Sequence, residues 1–295
     1  MATASSGSDH MDSDYLTQHH ITLFDAKGSN ARSVADYIVA TLAALHQMGK
    51  RTGKLAGVIG VGEVGSRVVK RLHAAGFNVI CFDPLKAPLD KHHQYVSLDE
   101  LTECDVICIH ANLHESPPFP SKHLLNADFL SKLKSEVIII NASRGGIIDE
   151  DALLTTNKSI TYCTDVYCEE PAINPRIVDF ATLCTPHIAG HSIEAKQAAV
   201  VQISQQLHHH YGLPMPVINS PIAQVSSGHY SDTAWQDLVL RLYNPLIDTH
   251  ILKTAADKRS AFLAQRQAHQ YRHDFNCYEA EGVNQNIGVL LGLSD

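Results

Sequence analysis

The chain has 295 residues, and its 44% hydrophobic and 18% charged residues are typical of a folded globular protein rather than of a disordered or fibrous one. This length exceeds that of one average domain, so we expect two domains, or two domains with a small appendage. The formal net charge of -8 argues against nucleic acid and anionic membranes as partners. Small-molecule chemistry is favoured instead.

The sequence pattern indicates a cytoplasmic location. Residues 1–20 are polar, without the features of a signal peptide, and no apolar run reaches the length of a membrane span. The 7 cysteines are scattered and form no Cys-X-X-Cys pair, which is typical of reduced thiols. His208, His209 and His210 are consecutive in a helical stretch, where neighbouring side chains point in different directions, so we expect no metal site there.

The first clear element is an amphipathic helix over residues 29–47, and strand and helix patterns alternate after it. The predicted strands cover residues 55–60, 77–82, 106–109, 137–140 and 160–166, and the predicted helices between them cover residues 64–75, 126–133 and 149–154. These strands are continuously apolar, which indicates burial on both faces. We therefore expect an α/β fold with a Rossmann-type, doubly wound parallel sheet.

The last third of the chain has a different pattern. A helical stretch after Ser192 runs to His210, and the sequence Gly-Leu-Pro-Met-Pro at residues 212–216 interrupts the chain as a linker would. We predict further helices over residues 235–246 and 258–273. The near-helical spacing of Arg259, Arg266 and Arg272 predicts a solvated helix face, and the alternative is a contact with a substrate phosphate across a dimer.

A glycine-rich loop follows the first predicted strand and opens a helix. It carries Gly60, Gly62, Val64 and Gly65 in a Gly-X-Gly-X-X-Gly pattern, and Asp83 ends the next strand. The glycines allow a tight turn, a close approach of the pyrophosphate and close packing of helix on strand, and the carboxylate can accept hydrogen bonds from ribose hydroxyls. We therefore predict NAD as the cofactor; the alternative is a turn whose glycines serve packing alone.

Three later segments carry further motifs: residues 141–149 (Asn-Ala-Ser-Arg-Gly-Gly-Ile-Ile-Asp), 165–171 (Asp-Val-Tyr-Cys-Glu-Glu-Pro) and 186–190 (Pro-His-Ile-Ala-Gly). In order and spacing, these motifs resemble the D-2-hydroxyacid dehydrogenase superfamily. The resemblance implies that Arg144, Glu170 and His187 are catalytic. Oxidation of a 2-hydroxy acid needs a base for the hydroxyl proton and a cation for the carboxylate, and His187 and Arg144 are chemically suited to these roles.

The same resemblance implies further contacts. We expect Asp165 near the nicotinamide end of the cofactor, Ala111, Ala142, Ser143, Arg144 and Gly190 in contact with the cofactor, and Ser5 and His191 facing the substrate. Two positions depart from the relatives, since Ala111 stands where a threonine is usual and His191 where a tyrosine is expected.

Residues 5–12 and 187–196 are similar, more narrowly, to the erythronate-4-phosphate dehydrogenase family. This resemblance implies oxidation of 4-phospho-D-erythronate in pyridoxal phosphate synthesis, a homodimer, and a small α+β C-terminal dimerisation domain. The expected domains are residues 1–28, a remnant of a flavodoxin-like substrate lobe; 29–190, the NAD-binding domain; 191–212, a helix returning to the lobe; and 213–295, the dimerisation domain.

The chains of these relatives begin well before the segment that resembles residues 5–12, so we expect a partial substrate lobe. Two other functions therefore stay open. One is a dehydrogenase of another D-2-hydroxy acid, and the other is a catalytically impaired module that binds NAD or dimerises.

Overall fold

A computed structural model describes residues 1–50, 52–217, 225–229 and 234–293. Its strands are β1 (Ala2–Thr3), β2 (Phe24–Asp25), β3 (Leu55–Ile59), β4 (Asn78–Phe82), β5 (Val106–Ile109), β6 (Val137–Asn141), β7 (Ile160–Thr164), β8 (Leu183–Cys184), β9 (Val225–His229) and β10 (Tyr278–Glu281). Its helices are α1 (Ser13–Gln18), α2 (Ala31–Gln47), α3 (Glu63–Ala74), α4 (Ala127–Lys132), α5 (Glu150–Thr155), α6 (Pro175–Phe180), α7 (Ile193–His210), α8 (Trp235–Leu242), α9 (Pro245–Thr254), α10 (Lys258–Ala268) and α11 (Gln285–Leu290).

The central feature is a parallel sheet with strand order β4-β3-β5-β6-β7-β8 in the described residues. A single parallel bridge between Cys81 and Tyr95 extends its β4 edge. The chain leaves β3 towards β4 on one side and returns to β5 on the other, so the order reverses between β3 and β5. In open α/β sheets, this reversal creates a crevice at the carboxyl ends of the strands, where ligands bind.

The strands are buried on both faces, as their apolar sequences predict. In β5, Val106 and Cys108 belong to the hydrophobic cluster that contains α2 and α3, whereas Ile107 and Ile109 belong to the cluster on the opposite face. Alternate residues of a strand therefore enter two separate cores. The predicted α/β fold with a doubly wound parallel sheet is confirmed.

Three predicted elements end two or more residues earlier in the structure than predicted. The strand predicted over residues 160–166 ends at Thr164, whose hydroxyl donates a hydrogen bond to the Val166 carbonyl at 2.7 Å. The helix predicted over residues 235–246 is divided into α8 and α9, because the Asn244 side chain accepts a hydrogen bond from Leu246 N and Pro245 opens the new helix. The helix predicted over residues 258–273 ends at Ala268.

Helix α2 lies inside the molecule, and 14 of its 17 residues are buried. Its small residues allow α3 and α8 to pack closely against it. One buried ion pair fixes its orientation: Asp36 on α2 contacts Arg71 on α3. Arg71 also donates to the Leu290 carbonyl of α11 at 2.8 Å, so this cation links three helices.

The first residues of the chain form a small layer beside the sheet. Strands β1 and β2 pair in parallel, and α7 packs against β2. The side-chain amides of Gln202 and Gln206 on α7 donate to the main-chain carbonyls of Lys27 and Asp25. Helix α7, which also packs on α2, therefore connects this layer to α2.

The segment after residue 234 packs on the sheet-bearing region: α8 against α2, α9 against β8, and α11 against α3. Leu238, Phe275 and Leu290 belong to one of the two hydrophobic clusters, and Leu252 belongs to the other. The predicted boundary at residue 213 and the dimerising role of this segment stay predictions. None of the helices in the described ranges has the length and apolar composition needed to cross a bilayer.

Candidate active site

A cleft of about 920 Å³ opens at the carboxyl end of the sheet. The glycine-rich loop after β3, Asp83 after β4 and Ala111 after β5 line one part of it, and Arg144 and residues 6–9 line another. This is the crevice expected where the strand order reverses. The loops predicted to bind the cofactor thus share one cleft with the predicted substrate anchor.

The three glycines of the loop have distinct environments. Gly60 has a φ of +83°, and a Cβ atom there would stand 2.6 Å from the Ala111 nitrogen. A Cβ on Gly65 would stand 2.0 Å from the Gly60 carbonyl oxygen, so α3 could not pack so closely on β3. A Cβ on Gly62 would meet nothing within 4 Å, so this position borders open space at the start of α3. That arrangement fits a pyrophosphate held at a helix N-terminus.

The Asp83 carboxylate, at the end of β4, is held by main-chain N–H groups of the glycine-rich loop and of the turn after β4. Its Oδ2 accepts a hydrogen bond from Val61 N at 2.9 Å, and its Oδ1 accepts one from Lys86 N at 3.0 Å. Each carboxylate oxygen has a further acceptor site, which a ribose hydroxyl can use. Asp83 therefore fits the predicted adenosine-ribose contact.

Glu63 is a carboxylate beside the expected phosphate position. It forms an ion pair with Arg67 at 3.1 Å, one helical turn later, and its side chain packs near Gly28. Its charge is therefore partly balanced within α3.

The loop after β6 carries Arg144 and is fixed to its neighbours. The Asn141 side chain donates to the Arg144 carbonyl at 3.0 Å and accepts from Ser143 N at 3.2 Å. The Ser143 hydroxyl donates to the Ala111 carbonyl, which joins the loops after β5 and β6. Ala142 lies between these anchored residues, beside the core.

His187 and Glu170 form a hydrogen-bonded pair, with Nδ1 and Oε2 2.6 Å apart. The other carboxylate oxygen, Oε1, accepts from Tyr167 N at 2.9 Å, which fixes the carboxylate. Two observations relate the pair to Arg144. Gly145, the next residue in the chain, packs against the Tyr167 backbone, and the pKa of Arg144 is raised mainly by its hydrogen bond to Asp9 and also by the charge of Glu170. The pair and Arg144 therefore lie in the same region of the structure.

Asp165 holds the turn that carries His187. Its carboxylate accepts hydrogen bonds from Ile188 N and Ala189 N at 2.8 Å each and from the Thr185 hydroxyl at 2.6 Å. His187 has a φ of +55°, which is unfavourable for a residue with a side chain, and these bonds stabilise that conformation. Burial raises the pKa of Asp165 to about 6. A contact of Asp165 with the cofactor stays a prediction, because its observed partners are protein groups.

Comparisons with known proteins agree with this geometry. Residues 34–189 match the model of the D-isomer specific 2-hydroxyacid dehydrogenase NAD binding domain, and residues 1–55 match the catalytic domain of the same enzymes. Erythronate-4-phosphate dehydrogenase of Legionella pneumophila is 52% identical over 278 residues, which are 94% of this chain and 79% of that protein. The chain belongs to the D-isomer specific 2-hydroxyacid dehydrogenase family.

Two further matches support this assignment. Erythronate-4-phosphate dehydrogenase of Coxiella burnetii is 33% identical over 286 residues, which cover 95% of this chain and 78% of that protein. The crystal structure of NAD-dependent formate dehydrogenase from Staphylococcus aureus in complex with NAD is similar with a TM-score of 0.61 and 27% identity. That similarity covers 74% of this chain and 73% of the solved one. As a member of this family, the chain is an NAD-dependent dehydrogenase of 2-hydroxy acids.

The remaining residues predicted from the resemblance to this dehydrogenase family lie around the cleft. Val64 lines it, whereas Gly190 packs against the Asn30 side chain. Ser6 lines the cleft. Ser5, the residue before it in the chain, accepts a hydrogen bond from Ala26 N on its carbonyl at 3.0 Å. Roles for these residues in binding stay predictions.

His191 lies close to the catalytic turn but is turned inward. Its Nδ1 is buried and has no hydrogen-bond partner within the described chain, and its ring centroid is 6.4 Å from that of His269. Burial, reinforced by the charge of Arg266, lowers the pKa of His191 to about 3, so the ring is neutral at physiological pH. A contact of His191 with substrate stays a prediction.

Two of the three arginines predicted to lie on a solvated helix face are instead directed towards the catalytic turn. Arg266 donates to the His187 carbonyl at 2.5 Å, and Arg272 is buried over the Tyr243 ring, 4.6 Å from its centroid. That prediction is wrong for Arg266 and Arg272, because main-chain carbonyls of the turn and an aromatic face offer these cations better partners than water. Arg259 is exposed, as predicted.

The sequence patterns did not single out Asp9 and Gly7. Asp9 accepts two hydrogen bonds from Arg144, although 135 residues separate them in the chain. A Cβ on Gly7 would stand 2.0 Å from Arg144 Nη2. Both residues lie in the segment 5–12 that resembles the relatives, and that was the one signal available for them.

Proposed function

We propose that the protein oxidises the 2-hydroxyl group of 4-phospho-D-erythronate to the 2-oxo acid, with NAD as the hydride acceptor. The observation that carries the proposal is the hydrogen-bonded pair of His187 and Glu170 in the region of Arg144, which lines the cleft that holds the glycine-rich loop. A base, its carboxylate partner and a fixed cation are the groups that this oxidation requires.

In this mechanism His187 removes the proton of the 2-hydroxyl group. Glu170 is bonded to Nδ1, so Nε2 is the nitrogen available to the substrate. As the proton moves to Nε2, the imidazole becomes positively charged, and the adjacent carboxylate stabilises that charge. In the reverse direction the same nitrogen returns the proton to the oxygen.

Arg144 would hold the substrate carboxylate. Its side chain is 30% exposed and lines the cleft. A planar guanidinium binds a carboxylate through two parallel hydrogen bonds and keeps the adjacent C2 centre in one orientation. A substrate held in this way would present its hydroxyl proton to His187 and would leave its C2 hydrogen for the nicotinamide.

The residues around the glycine-rich loop would hold NAD. Gly62 leaves room for the pyrophosphate, the start of α3 offers free main-chain N–H groups, and Asp83 accepts hydrogen bonds from the ribose. When bound, the nicotinamide accepts the hydride from C2.

The choice of substrate follows from the relatives named erythronate-4-phosphate dehydrogenase, which are similar along nearly the whole of this chain. The test is incubation of the purified protein with 4-phospho-D-erythronate, NAD and a 2-oxo acid acceptor, with the 2-oxo product measured directly. His187→Asn should lower the rate by about 10²- to 10⁴-fold. The matched control is His209→Asn, which changes an exposed histidine at the end of α7.

The outcomes separate the possible functions. Product that disappears with His187→Asn supports the proposal, and product from another D-2-hydroxy acid but not from the phosphorylated one would reassign the substrate. Binding of NAD without turnover of any 2-hydroxy acid would contradict the proposed catalysis and favour a binding module.

The proposed assembly is a homodimer in the cytoplasm, with residues 1–28 in the substrate lobe and the segment after residue 213 at the dimer contact. Ile247, Ile251 and Leu263 are exposed apolar residues on the neighbouring helices α9 and α10, which supports this contact. All seven cysteines are free, as suits a reducing compartment. Light scattering of the parent and of Ile247→Asp should give a dimer and a monomer, respectively; a monomeric parent would contradict the proposal.

A further inference from the structure

The contact between Asp9 and Arg144 has a defined geometry. Arg144 Nε donates to Asp9 Oδ2 at 2.7 Å, and Nη2 donates to Oδ1 at 2.8 Å. The carboxylate therefore covers one edge of the guanidinium with two parallel hydrogen bonds. The hydrogen bond from Arg144 is the main reason that the pKa of Asp9 lies below its ordinary value, so Asp9 is ionised at neutral pH.

The remaining donors of Arg144 lie on another edge. A guanidinium has five N–H groups, and the described contacts use the Nε group, one on Nη2 and one on Nη1, the last bonded to the Ser143 carbonyl at 2.8 Å. Within the described chain, one N–H on Nη1 and one on Nη2 are left. Nη1 and Nη2 both border the outer edge of the guanidinium, which is a second place where a carboxylate can bind with two hydrogen bonds.

Gly7 limits how the guanidinium can move. A Cβ at this position would stand 2.0 Å from Arg144 Nη2 and 3.3 Å from the Arg144 Cζ. The segment that carries Asp9 therefore touches the guanidinium with its backbone as well as with the carboxylate. Any rotation of the guanidinium away from this orientation would break both hydrogen bonds to Asp9.

The pair resembles the one formed by Glu170 and His187. In both pairs, a carboxylate is hydrogen-bonded to one side of the functional group. The opposite side is left available for the expected reaction. Such a partner fixes the orientation of the group it supports.

We propose that Asp9 is a positioning residue for Arg144: it holds the Nε edge of the guanidinium, so that the outer edge receives the carboxylate of the substrate. The inference rests on the proposed function in one respect, namely the use of Arg144 as the substrate anchor. The alternative is that Asp9 competes with the substrate for Arg144 and must leave before the substrate binds.

The two roles give opposite results when the charge of Asp9 is removed. In Asp9→Asn, the amide nitrogen faces a donor of Arg144, so one of the two hydrogen bonds is lost and the guanidinium is free to rotate. A positioning role predicts weaker binding of carboxylates, whereas a competing role predicts tighter binding. Asp14→Asn is the matched control, because it removes the same charge from an exposed residue of the neighbouring helix α1.

The experiment is calorimetric titration of the NADH-loaded protein with oxalate, a planar dicarboxylate that can bind Arg144 without any reaction. We expect Asp9→Asn to raise the Kd of oxalate by about tenfold, a typical loss for one misplaced charge-assisted bond. Asp14→Asn should leave this Kd within about twofold, and the Kd of NADH should stay unchanged in both variants. With the proposed substrate, KM should rise by a factor similar to that of the oxalate Kd.

A second pair of variants shows whether Asp9 acts through Arg144. Arg144→Lys removes the edge that Asp9 holds, because a lysine ammonium has no planar fork. Asp9→Asn should therefore have little additional effect on oxalate binding in the Arg144→Lys background. An equal, additive loss in that background would overturn the proposal.

Three other results would also overturn it: tighter oxalate binding by Asp9→Asn, unchanged binding, or a parallel loss of NADH affinity that indicates a general disturbance of the cleft. A parent protein that binds NADH but no oxalate would overturn it as well. Failure to oxidise 4-phospho-D-erythronate would instead contradict the proposed substrate and leave the oxalate result as the decisive measurement for Asp9.

Discussion

Two carboxylates support the two side chains on which the proposed chemistry depends. Glu170 lies behind His187, and Asp9 lies behind Arg144. Both pairs are partly exposed, so their contribution to folding stability is small, about 0–1 kcal/mol for a solvent-exposed ion pair. The value of these pairs is in fixing orientation and charge at the cleft.

At Glu170, the charge can be separated from the hydrogen bond. Glu170→Gln keeps an oxygen for His187 or Tyr167 but removes the negative charge that stabilises the protonated imidazole. We expect kcat for the proposed oxidation to fall by about ten- to a hundredfold, with little change in the Kd of NADH. Glu169→Gln, at an exposed neighbouring carboxylate, is the control in the same steady-state assay. Equal kcat values in both variants would contradict the proposed role of Glu170.

The buried ring of His110 leads to a prediction about how folding stability depends on pH. Both of its ring nitrogens are buried and have no partner in the described part of the chain, and burial lowers its pKa to about 3. Because the ordinary value is about 6.5, the unfolded chain binds more protons at this residue than the folded protein between these pH values. The folded protein therefore loses stability through His110 as the pH falls below about 6.5.

Replacement of His110 by leucine should remove this loss. Relative to the parent, the free energy of unfolding of His110→Leu should increase by about 2 kcal/mol on going from about pH 8 to about pH 5. Urea denaturation of both proteins at both pH values measures the difference. His209→Leu, at an exposed site, should show no such change, and a pH-independent difference for His110→Leu would show that its ring is not buried in the neutral form.

At the scale of elements, the junction of β3 and α3 has two glycines with different functions. A side chain at Gly65 would meet the Gly60 carbonyl, whereas a side chain at Gly62 would meet no protein atom within 4 Å. One glycine thus serves the packing of helix on strand, and the other leaves room for a ligand.

Alanine at each position should separate the two effects. Gly65→Ala should lower the free energy of unfolding by about 1–3 kcal/mol and weaken NAD binding, because α3 must move away from β3. Gly62→Ala should weaken NAD binding with no comparable loss of stability. Urea denaturation and fluorescence titration with NADH measure the two quantities, and a Gly62→Ala variant with parental NADH affinity would contradict the proposed pyrophosphate position.

The elements of the sheet were predictable because each strand satisfies one simple condition. Residues 106–109 and 137–140 are apolar without interruption, and burial on two faces requires that composition. The division of α8 from α9 was missed, although Asn244 and Pro245 are a recognisable helix start, because the apolar spacing continues across it.

The site was predictable to the extent that it is local in sequence. The glycine-rich loop and the segment around Arg144 are recognisable motifs, whereas the contact of Asp9 with Arg144 joins residues 135 positions apart. Likewise, the helical spacing of Arg266 and Arg272 did not reveal that both face the turn of His187, because that depends on how the C-terminal segment packs. Periodicity within a segment carries no information about partners from distant segments.

At the scale of the whole molecule, the C-terminal helices and the sheet share their hydrophobic core. Leu238 and Phe275 belong to the same cluster as α2, and Arg71 on α3 bonds to α11. The segment after residue 234 therefore contributes to the stability of the NAD-binding region, whatever its part in assembly.

This shared core predicts cooperative unfolding. Leu238→Ala should lower the free energy of unfolding by about 2–5 kcal/mol. NADH binding and the structure of the C-terminal segment should be lost in one unfolding transition. Leu89→Ala, at an exposed leucine after β4, is the control and should change the free energy of unfolding by less than about 0.5 kcal/mol. Separate transitions, followed by Trp235 fluorescence and by NADH binding, would contradict a shared core.

The burial of α2 also has a consequence for how this sequence can vary. Its alanines, among them Ala35, Ala40 and Ala44, are fully buried where other helices approach, and a larger residue there would have to displace a whole neighbouring element. In a library of random variants selected for growth, α2 should therefore tolerate fewer substitutions than the cofactor loop's exposed positions. A helix with no residue in the described lining of the cleft would then be among the slowest parts of the chain to diverge.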